Sequence, residues 1–211
     1  MTVLFATLGW RPQSLLPSIR STGNVDRVVF YHSDHARSRE ARVKVMEFCR
    51  ALGVPATASE VNDAYDLLQV AGQIRSDVRR EKAAGADLLF NIAGGTRLMS
   101  SAALLVCILE GIRATYVHDD TYQEIPLPLL RITYGQGLTG KQREVLTFLV
   151  RNRDKDFTET ALARAIGVHK ATMNHHLREL LEKGAIERRS DPSDARLLIV
   201  KPAPGMEFLV G

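Results

Sequence analysis

The sequence predicts an α/β fold in two parts: a Rossmann-like domain with a parallel sheet over residues 1–135, followed by a small winged helix-turn-helix domain over residues 136–211. The first part alternates short apolar runs with longer helical patterns. This alternation is typical of a parallel sheet, because a helix must return the chain between parallel strands. The second part shows three helical patterns followed by a hairpin pattern, and the run YGQG between the two parts indicates a linker.

The composition is that of an ordinary globular protein. The 211 residues are 45% hydrophobic and 25% charged, which excludes disordered and fibrous classes. No apolar run approaches the roughly 18 residues of a membrane span, and the first residues lack the basic start of a signal peptide, so we expect a cytoplasmic protein with no membrane association. Cys49 and Cys107 lie in apolar helical patterns and are expected to be buried, reduced thiols rather than nucleophiles.

Four apolar runs predict strands of the sheet, and these runs are TVLFATLG, RVVFYHS, DLLFNIA and RATYVHDD. A further strand pair is expected around YQEIPLPLLRITYG. Helices are predicted through residues 43–52 and 68–78. A third helix, over residues 98–109, is apolar nearly all round. It is expected to pack on the sheet. Its outer face is buried either against a second subunit or, if the protein is a monomer, inside the same chain as a central helix.

The C-terminal part begins with a helical pattern over KQREVLTFLVRN, whose apolar stripe predicts a supporting helix. The run TETALARAIG predicts a short second helix, with Thr158 as its N-cap and Gly167 as the turn that ends it. A third helix is predicted in VHKATMNHHLRELLEKG. Its inward-facing side chains are expected to be Met173, Leu177, Leu180 and Leu181.

The other face of this third helix carries side chains of the types that read a major groove. Asn suits the edge of adenine, Arg and Lys suit guanine or phosphate, and Thr suits phosphate or a thymine methyl group. These residues are Lys170, Thr172, Asn174, His175 and Arg178. Adjacent histidines at 175 and 176 diverge by about 100° on a helix and cannot chelate one ion, so no metal site is expected.

The run AIERRSDPSDARLLIVK predicts two strands joined by a proline-containing turn, which we name the wing. Arg188, Arg189 and Arg196 are expected near its tip, where they would bind phosphate or enter the minor groove. A solvated charged hairpin is the alternative for an isolated turn of this kind. The charge balance favours DNA: residues 136–211 carry 13 Lys and Arg against 10 Asp and Glu, and so hold three of the four net positive charges.

The run LARAIGVHKATMNHHLRELLEKGAIERR, with the DPSDAR wing, resembles the winged helix of the MarR and ArsR type. The resemblance covers nearly all of residues 138–201 and implies binding to double-stranded DNA. One position departs from the pattern, because such domains usually have Ser or Thr as the cap of the recognition helix and this chain has His169. His169 is included in the predicted DNA-binding set.

The strongest candidate for a ligand site in the first part is the run DLLFNIAGGTRLMSSAAL. A buried strand is predicted to end at Asn91, the chain turns through residues 93–95, and Thr96 and Arg97 begin the next helix. Backbone amides at a helix start, with glycines that allow close approach and an arginine beside them, form a site for an anion such as phosphate. Glycines that serve only the turn are the alternative. The sequence has no GxxxxGK[ST] motif, which disfavours a nucleoside triphosphatase. Its GxGxxG run, GQGLTG at residues 135–140, lies in the linker between the two parts and not within a βαβ unit, so a dinucleotide enzyme is disfavoured as well.

Other strand ends are expected at the same edge, because ligands of open parallel sheets bind beyond the carboxyl ends of the strands. The run TLGW follows the first strand, His32 and Ser33 follow the second, and His118 and Asp119 follow a later one.

The run NIAGGTRLM resembles the signature of CARF domains, the CRISPR-associated Rossmann folds, in which Asn, a Gly-Gly pair, Thr and a basic residue follow a central strand. A CARF domain followed by a winged helix resembles the CRISPR-associated CARF transcriptional regulators, over almost the whole chain. The resemblance implies a homodimer that shares a site for a cyclic oligoadenylate, cyclic tetra-adenylate in particular, and a two-fold symmetric ring suits such a dimer. By position, the implied ligand-binding residues are Thr7, Leu8, Gly9, Trp10, Asn91, Ala93, Gly94, Gly95, Thr96, Arg97 and Met99.

Trp10 has two interpretations: it either stacks on adenine or packs at the seam of the dimer.

Three functions fit these residues. The prediction is a transcriptional regulator of CRISPR loci whose affinity for promoter DNA responds to cyclic oligoadenylate and which requires no cofactor. An alternative is a ring nuclease that aligns the 2′-hydroxyl of cyclic tetra-adenylate, with Thr96 and Arg97 stabilising charge and His32 or His118 carrying a proton. A third is a regulator that senses another nucleotide or phosphorylated metabolite.

Overall fold

The computed structural model describes residues 1–21, 25–128, 137–191 and 197–210. Its contacts divide the chain into two units, Met1–Thr133 and Tyr134–Gly211, which we name the sheet unit and the winged unit. The predicted domain boundary at 135/136 lies outside the described residues, as do Arg196 and the last residues of the strand pair expected around 122–135. Within the described ranges, no helix is both long and apolar enough to cross a membrane.

The sheet unit is built on six strands among the described residues, in the order β3-β2-β1-β4-β5-β6. Strands β1 to β5 pair in parallel and β6 pairs antiparallel to β5, so the predicted Rossmann-like parallel sheet is confirmed. The order reverses beside β1, and ligands of such sheets bind at this reversal, beyond the carboxyl ends of the strands. The strands are β1 Thr2–Leu8, β2 Arg27–His32, β3 Ala56–Glu60, β4 Asp87–Asn91, β5 Arg113–Val117 and β6 Glu124–Pro126.

Helices connect these strands, and apolar side chains of the central strands form the core between helices and sheet. Phe5, Phe30 and Phe90 are fully buried there. The helix Ala36–Ala51, named α2, packs on the sheet through Ala41, Val45 and Cys49. The helices are a 3-10 helix Pro12–Ser14, α1 Leu16–Ser21, α2 Ala36–Ala51, α3 Leu67–Ala83 and α4 Arg97–Glu110.

Both cysteines are free and buried, as predicted from their apolar surroundings. Burial raises the pKa of the Cys49 thiol and of the Cys107 thiol, which disfavours the nucleophilic thiolate.

The winged unit has the predicted order of three helices and a hairpin, and its sheet has the strand order β7-β9-β8. Thr158 caps the helix Glu159–Ile166, named α6, by accepting the Ala161 N–H at 3.3 Å, and Gly167 ends this helix with φ of +74°. The elements are α5 Gly140–Arg151, β7 Phe157–Thr158, α6 Glu159–Ile166, α7 Lys170–Glu182, β8 Ile186–Ser190, β9 Leu198–Pro202 and α8 Met206–Val210.

The core of the winged unit corrects one position of the predicted apolar stripe. Met173, Leu177 and Leu180 are fully buried, whereas Leu181 is 39% exposed. Leu181 follows Leu180 directly, and neighbours on a helix point about 100° apart, so both cannot face one core.

Candidate functional site

A cavity of about 840 Å³ lies at the carboxyl edge of the sheet, in the sheet unit. Its walls come from the segments that follow β1, β2, β3, β4 and β5. These segments are residues 9–11, 33–35, 62–65 and 93–98, together with Ser14 and Asp119. The predicted meeting of strand ends at one edge is therefore observed, and the residues after β3 join them.

Three glycines allow the segments after β1 and β4 to pack backbone against backbone. A Cβ on Gly94 would overlap the Thr7 carbonyl oxygen, and one on Gly9 would lie 2.9 Å from the Gly95 nitrogen. Gly95 itself has φ of +87°, in the left-handed region that favours glycine. The glycines therefore form the floor of the cavity by close packing.

Asn91 supports this floor from inside the protein and does not line the cavity. The side chain is fully buried, and its Nδ2 donates to the Ser14 carbonyl oxygen and to Ser18 Oγ, both at 2.8 Å. Its Oδ1 accepts the Ala93 N–H at 2.8 Å. One amide thus holds the end of β4 against the segment that follows β1.

The eleven residues implied as ligand-binding divide into two groups in the structure. Seven line the cavity: Gly9, Trp10, Ala93, Gly94, Gly95, Thr96 and Arg97. The other four are buried and lie outside the lining: Thr7, Leu8, Asn91 and Met99. Direct contact with ligand is therefore expected only of the first group, through the backbone at its glycines, and the second group supports the backbone.

Thr96 is occupied by contacts within the protein. Its Oγ1 accepts the Met99 N–H at 3.1 Å, which caps α4, and donates to the Ala64 carbonyl oxygen at 2.7 Å. The second bond joins the start of α4 to the segment after β3. The hydroxyl therefore shapes the wall of the cavity.

Two guanidinium groups line the cavity and have no polar partner among the described residues. The side chains of Arg11 and Arg97 form no ion pair or hydrogen bond with the residues that the structure describes, and both are exposed. The carboxylate of Asp63, also at the cavity, accepts the Tyr65 N–H at 2.8 Å. The lining also carries the carboxylates of Asp34 and Asp119, so the donors for an anion are confined to the parts of the cavity beside the two guanidinium groups.

Aromatic side chains also line this cavity. Trp10 is 58% exposed and Tyr65 is 74% exposed. The His35 ring lies 5.2 Å from the Trp10 ring, and the Arg37 guanidinium lies 5.1 Å from it. Exposed rings of this kind can stack on the bases of a nucleotide, and the guanidinium groups beside them can bind its phosphates.

The two histidines considered as proton carriers do not line the cavity. His32 is 2% exposed, with Nδ1 2.9 Å from the Ser33 carbonyl oxygen. His118 uses Nδ1 to accept the Asp120 N–H at 3.2 Å. The imidazole that does line the cavity is that of His35.

Sequence reasoning missed several lining residues, Arg11, His35 and the segment 62–65 among them. A signal for that segment was present: the polar run VNDAY follows ATASE, which forms β3 and ends at the same edge as the other parallel strands.

In the winged unit, the predicted outward face of α7 is exposed to solvent. This holds for Lys170, Thr172, Asn174, His175 and Arg178. His169 caps the helix through Nδ1, which accepts the Ala171 N–H at 3.3 Å, so an imidazole takes the place of the usual hydroxyl.

The wing arginines differ in their surroundings. Arg189 is exposed and pairs with Glu187 of the same strand at 3.1 Å. Arg188 is partly buried and pairs with Glu159 at 2.7 Å. In the described residues, no group of three or more His, Cys, Asp or Glu side chains is placed to hold a metal ion.

Family models match both units. Residues 2–128 match the Csa3 CRISPR-associated Rossmann-like domain, and residues 136–197 match the MarR family. This domain composition is that of a CRISPR-associated transcription regulator of the winged-helix class. The chain belongs to the family of the Csa3 CRISPR-associated Rossmann-like domain.

Among solved structures, similarity is found to a point mutant of Staphylococcus aureus MepR, with 25% identity over 36% of this chain and 56% of that chain, and a TM-score of 0.35. The S. aureus MepR–DNA complex is 25% identical over 36% of this chain and 62% of that chain, with a TM-score of 0.33. The transcriptional regulator BldR from Sulfolobus solfataricus is 20% identical over 35% of this chain and 50% of that chain, with a TM-score of 0.32. The similarity thus spans less than two thirds of each of these solved chains. No curated protein shows a significant match to the chain.

Proposed function

We propose that the chain is a homodimeric regulator that binds a cyclic oligoadenylate at the edge of the sheet and double-stranded promoter DNA through the winged unit. Cyclic tetra-adenylate is the ligand we favour, and the response would serve antiviral defence at a CRISPR locus in the cytoplasm. The observation that carries the proposal is the cavity at the strand ends. There, exposed aromatic rings meet guanidinium groups that have no partner in the part of the chain that the structure describes, and the second unit of this chain is a MarR-type winged helix.

The cavity offers a nucleotide suitable hydrogen-bond donors, ring faces and space. Arg11 and Arg97 supply donors for phosphate oxygens, and Trp10 and Tyr65 supply faces for bases. A volume of about 840 Å³ falls in the range of sites for drug-sized ligands. A ring of four nucleotides is larger and two-fold symmetric, so two copies of this cavity across a dimer axis fit it better than one.

Calorimetry with the full chain tests the ligand. We expect cyclic tetra-adenylate to bind more tightly than linear tetra-adenylate, ATP or inorganic phosphate, with one ring per two chains. Light scattering should give a dimer in the same buffer. Equal affinity for inorganic phosphate, or a solitary chain in solution, would contradict this part of the proposal.

The DNA-binding part is tested by gel shift on the region upstream of the chain's own gene, with and without cyclic tetra-adenylate. We expect a shift, and a change in affinity when the ring favours one state of the dimer. The absence of any shift under both conditions would contradict the proposal.

Replacing Arg189 by alanine tests the role of the wing. Because Arg189 is exposed and its ion pair with Glu187 is exposed too, we expect it to bind phosphate, and its loss should weaken binding to all duplexes. The slope of log affinity against log salt should flatten by about one. Arg151→Ala, which removes an exposed arginine from α5, is the matched control and should leave the slope unchanged.

A further inference from the structure

One carboxylate in the winged unit holds two of the side chains expected to contact DNA. Glu159 is the first residue of α6. Its Oε1 accepts from Arg188 Nη2 at 2.7 Å, and its Oε2 accepts from Asn174 Nδ2 at 3.2 Å. Asn174 belongs to α7 and Arg188 to β8, so Glu159 links the recognition helix to the wing.

The carboxylate selects one orientation of the Asn174 amide. An ionised carboxylate only accepts hydrogen bonds, so it must face the NH₂ group and not the oxygen of the amide. One N–H of Asn174 then points to Glu159, and its second N–H and Oδ1 have no partner within the described ranges. A donor and an acceptor side by side are what a bidentate contact with the edge of adenine requires.

The same carboxylate restrains Arg188 and not its neighbour Arg189. The side chains of Glu159 and Arg188 are 20% and 26% exposed, whereas those of Glu187 and Arg189 are 41% and 68% exposed. Exposed pairs are weak because water competes with them. Arg189 is therefore ready to exchange its partner for phosphate, and Arg188 is held in place.

We propose that Glu159 is a positioning residue for DNA recognition: it orients the Asn174 amide toward the base edge and keeps the Arg188 guanidinium from binding phosphate indiscriminately. This inference rests on the proposed binding of duplex DNA by the winged unit. Glu159 would thus contribute to sequence preference through Asn174 and Arg188, without contacting DNA itself.

The test compares Glu159→Gln with Glu187→Gln in the full chain. Both variants remove one negative charge beside a wing arginine, so a general charge effect is the same in each. The probes are a duplex that the wild type selects from a random pool and a scrambled duplex of equal composition.

For Glu159→Gln we expect the preference for the selected duplex to fall about tenfold, because glutamine accepts either orientation of the Asn174 amide. For the scrambled duplex, the slope of log affinity against log salt should become steeper by about one, because the Arg188 guanidinium is released to bind phosphate. Glu187→Gln should keep the wild-type preference. In an Asn174→Ala background, Glu159→Gln should change the preference no further, since no amide remains to be oriented.

Glu159→Asp provides a second variant in case Glu159→Gln does not fold, since position 159 is partly buried. The shorter side chain keeps the charge but loses its reach to Asn174, so the preference should fall without a steeper salt slope. An unchanged preference in folded Glu159→Gln or Glu159→Asp, or an equal loss in Glu187→Gln, would overturn the inference. If the wild type selects no duplex at all, the proposed function fails first and this inference with it.

Discussion

Replacing Arg97 by alanine is expected to weaken the binding of cyclic tetra-adenylate by about 100-fold or more. Arg97 is the first residue of α4, lines the cavity and has no partner within the described residues, so a phosphate oxygen is the acceptor that its position favours. A hydrogen bond to a charged group contributes about 1.5–3 kcal/mol, and a symmetric ring held by two chains loses the contact twice. Calorimetry on the wild type and the variant measures this change.

The loss of the Arg97 side chain should leave the free energy of unfolding nearly unchanged, because this side chain is exposed and unpaired among the residues that the structure describes. Thermal unfolding should therefore agree with the wild type within about 0.5 kcal/mol. Arg42→Ala removes an exposed arginine from α2, away from the cavity lining, and serves as the control of equal charge. Equal affinities of both variants for the ring would show that the cavity does not bind its phosphates.

Replacing Gly94 by alanine is expected to destabilise the sheet unit by about 3 kcal/mol, because the new methyl group overlaps backbone atoms. Its Cβ would overlap the Thr7 carbonyl oxygen and lie 2.9 Å from the Leu8 Cα, and neither atom can rotate away. Either β1 or the segment after β4 must shift. Thermal unfolding should show a transition lowered by about 10 °C, together with loss of ligand binding.

Gly72→Ala is the matched control for this prediction. Gly72 lies inside α3, and a Cβ at that position meets nothing within 4 Å. Alanine is a better helix former than glycine, so this variant should gain about 0.5–1 kcal/mol. A shift of the same sign in both variants would contradict the close packing of the two backbones.

Features that depend on local sequence were predicted correctly. The helix ends at Thr158 and Gly167 follow from side-chain capping and from the left-handed conformation that glycine adopts, which involve only neighbouring residues. The buried stripe of α7 follows from helical spacing, with Leu181 as the exception. The parallel sheet follows from the alternation of strand and helix patterns.

Which side chains of the loops line the cavity could not be predicted from local sequence. Asn91 and Met99 belong to the recognisable NIAGGTRLM motif, yet both are buried and act through the backbone that they hold. Arg11, His35 and Tyr65 carry no motif, yet they line the cavity. A motif identifies the segment that forms a site, but it does not say which of its side chains point outward.

Periodicity and capping depend on residues within a few positions of one another, so the chain's order of amino acids was enough to determine the fold class, most of the longer helices and strands, and the outward face of α7. The polar strand β3 and the short elements α1, β7 and α8 were not predicted. Strand order and register bring together residues far apart in the chain, such as Ala64 and Thr96, or Glu159 and Arg188. Only the folded arrangement therefore decided which side chains face the cavity and which arginine of the wing is restrained. The physical reason is that such contacts depend on distances through space, which local spacing along the chain does not encode.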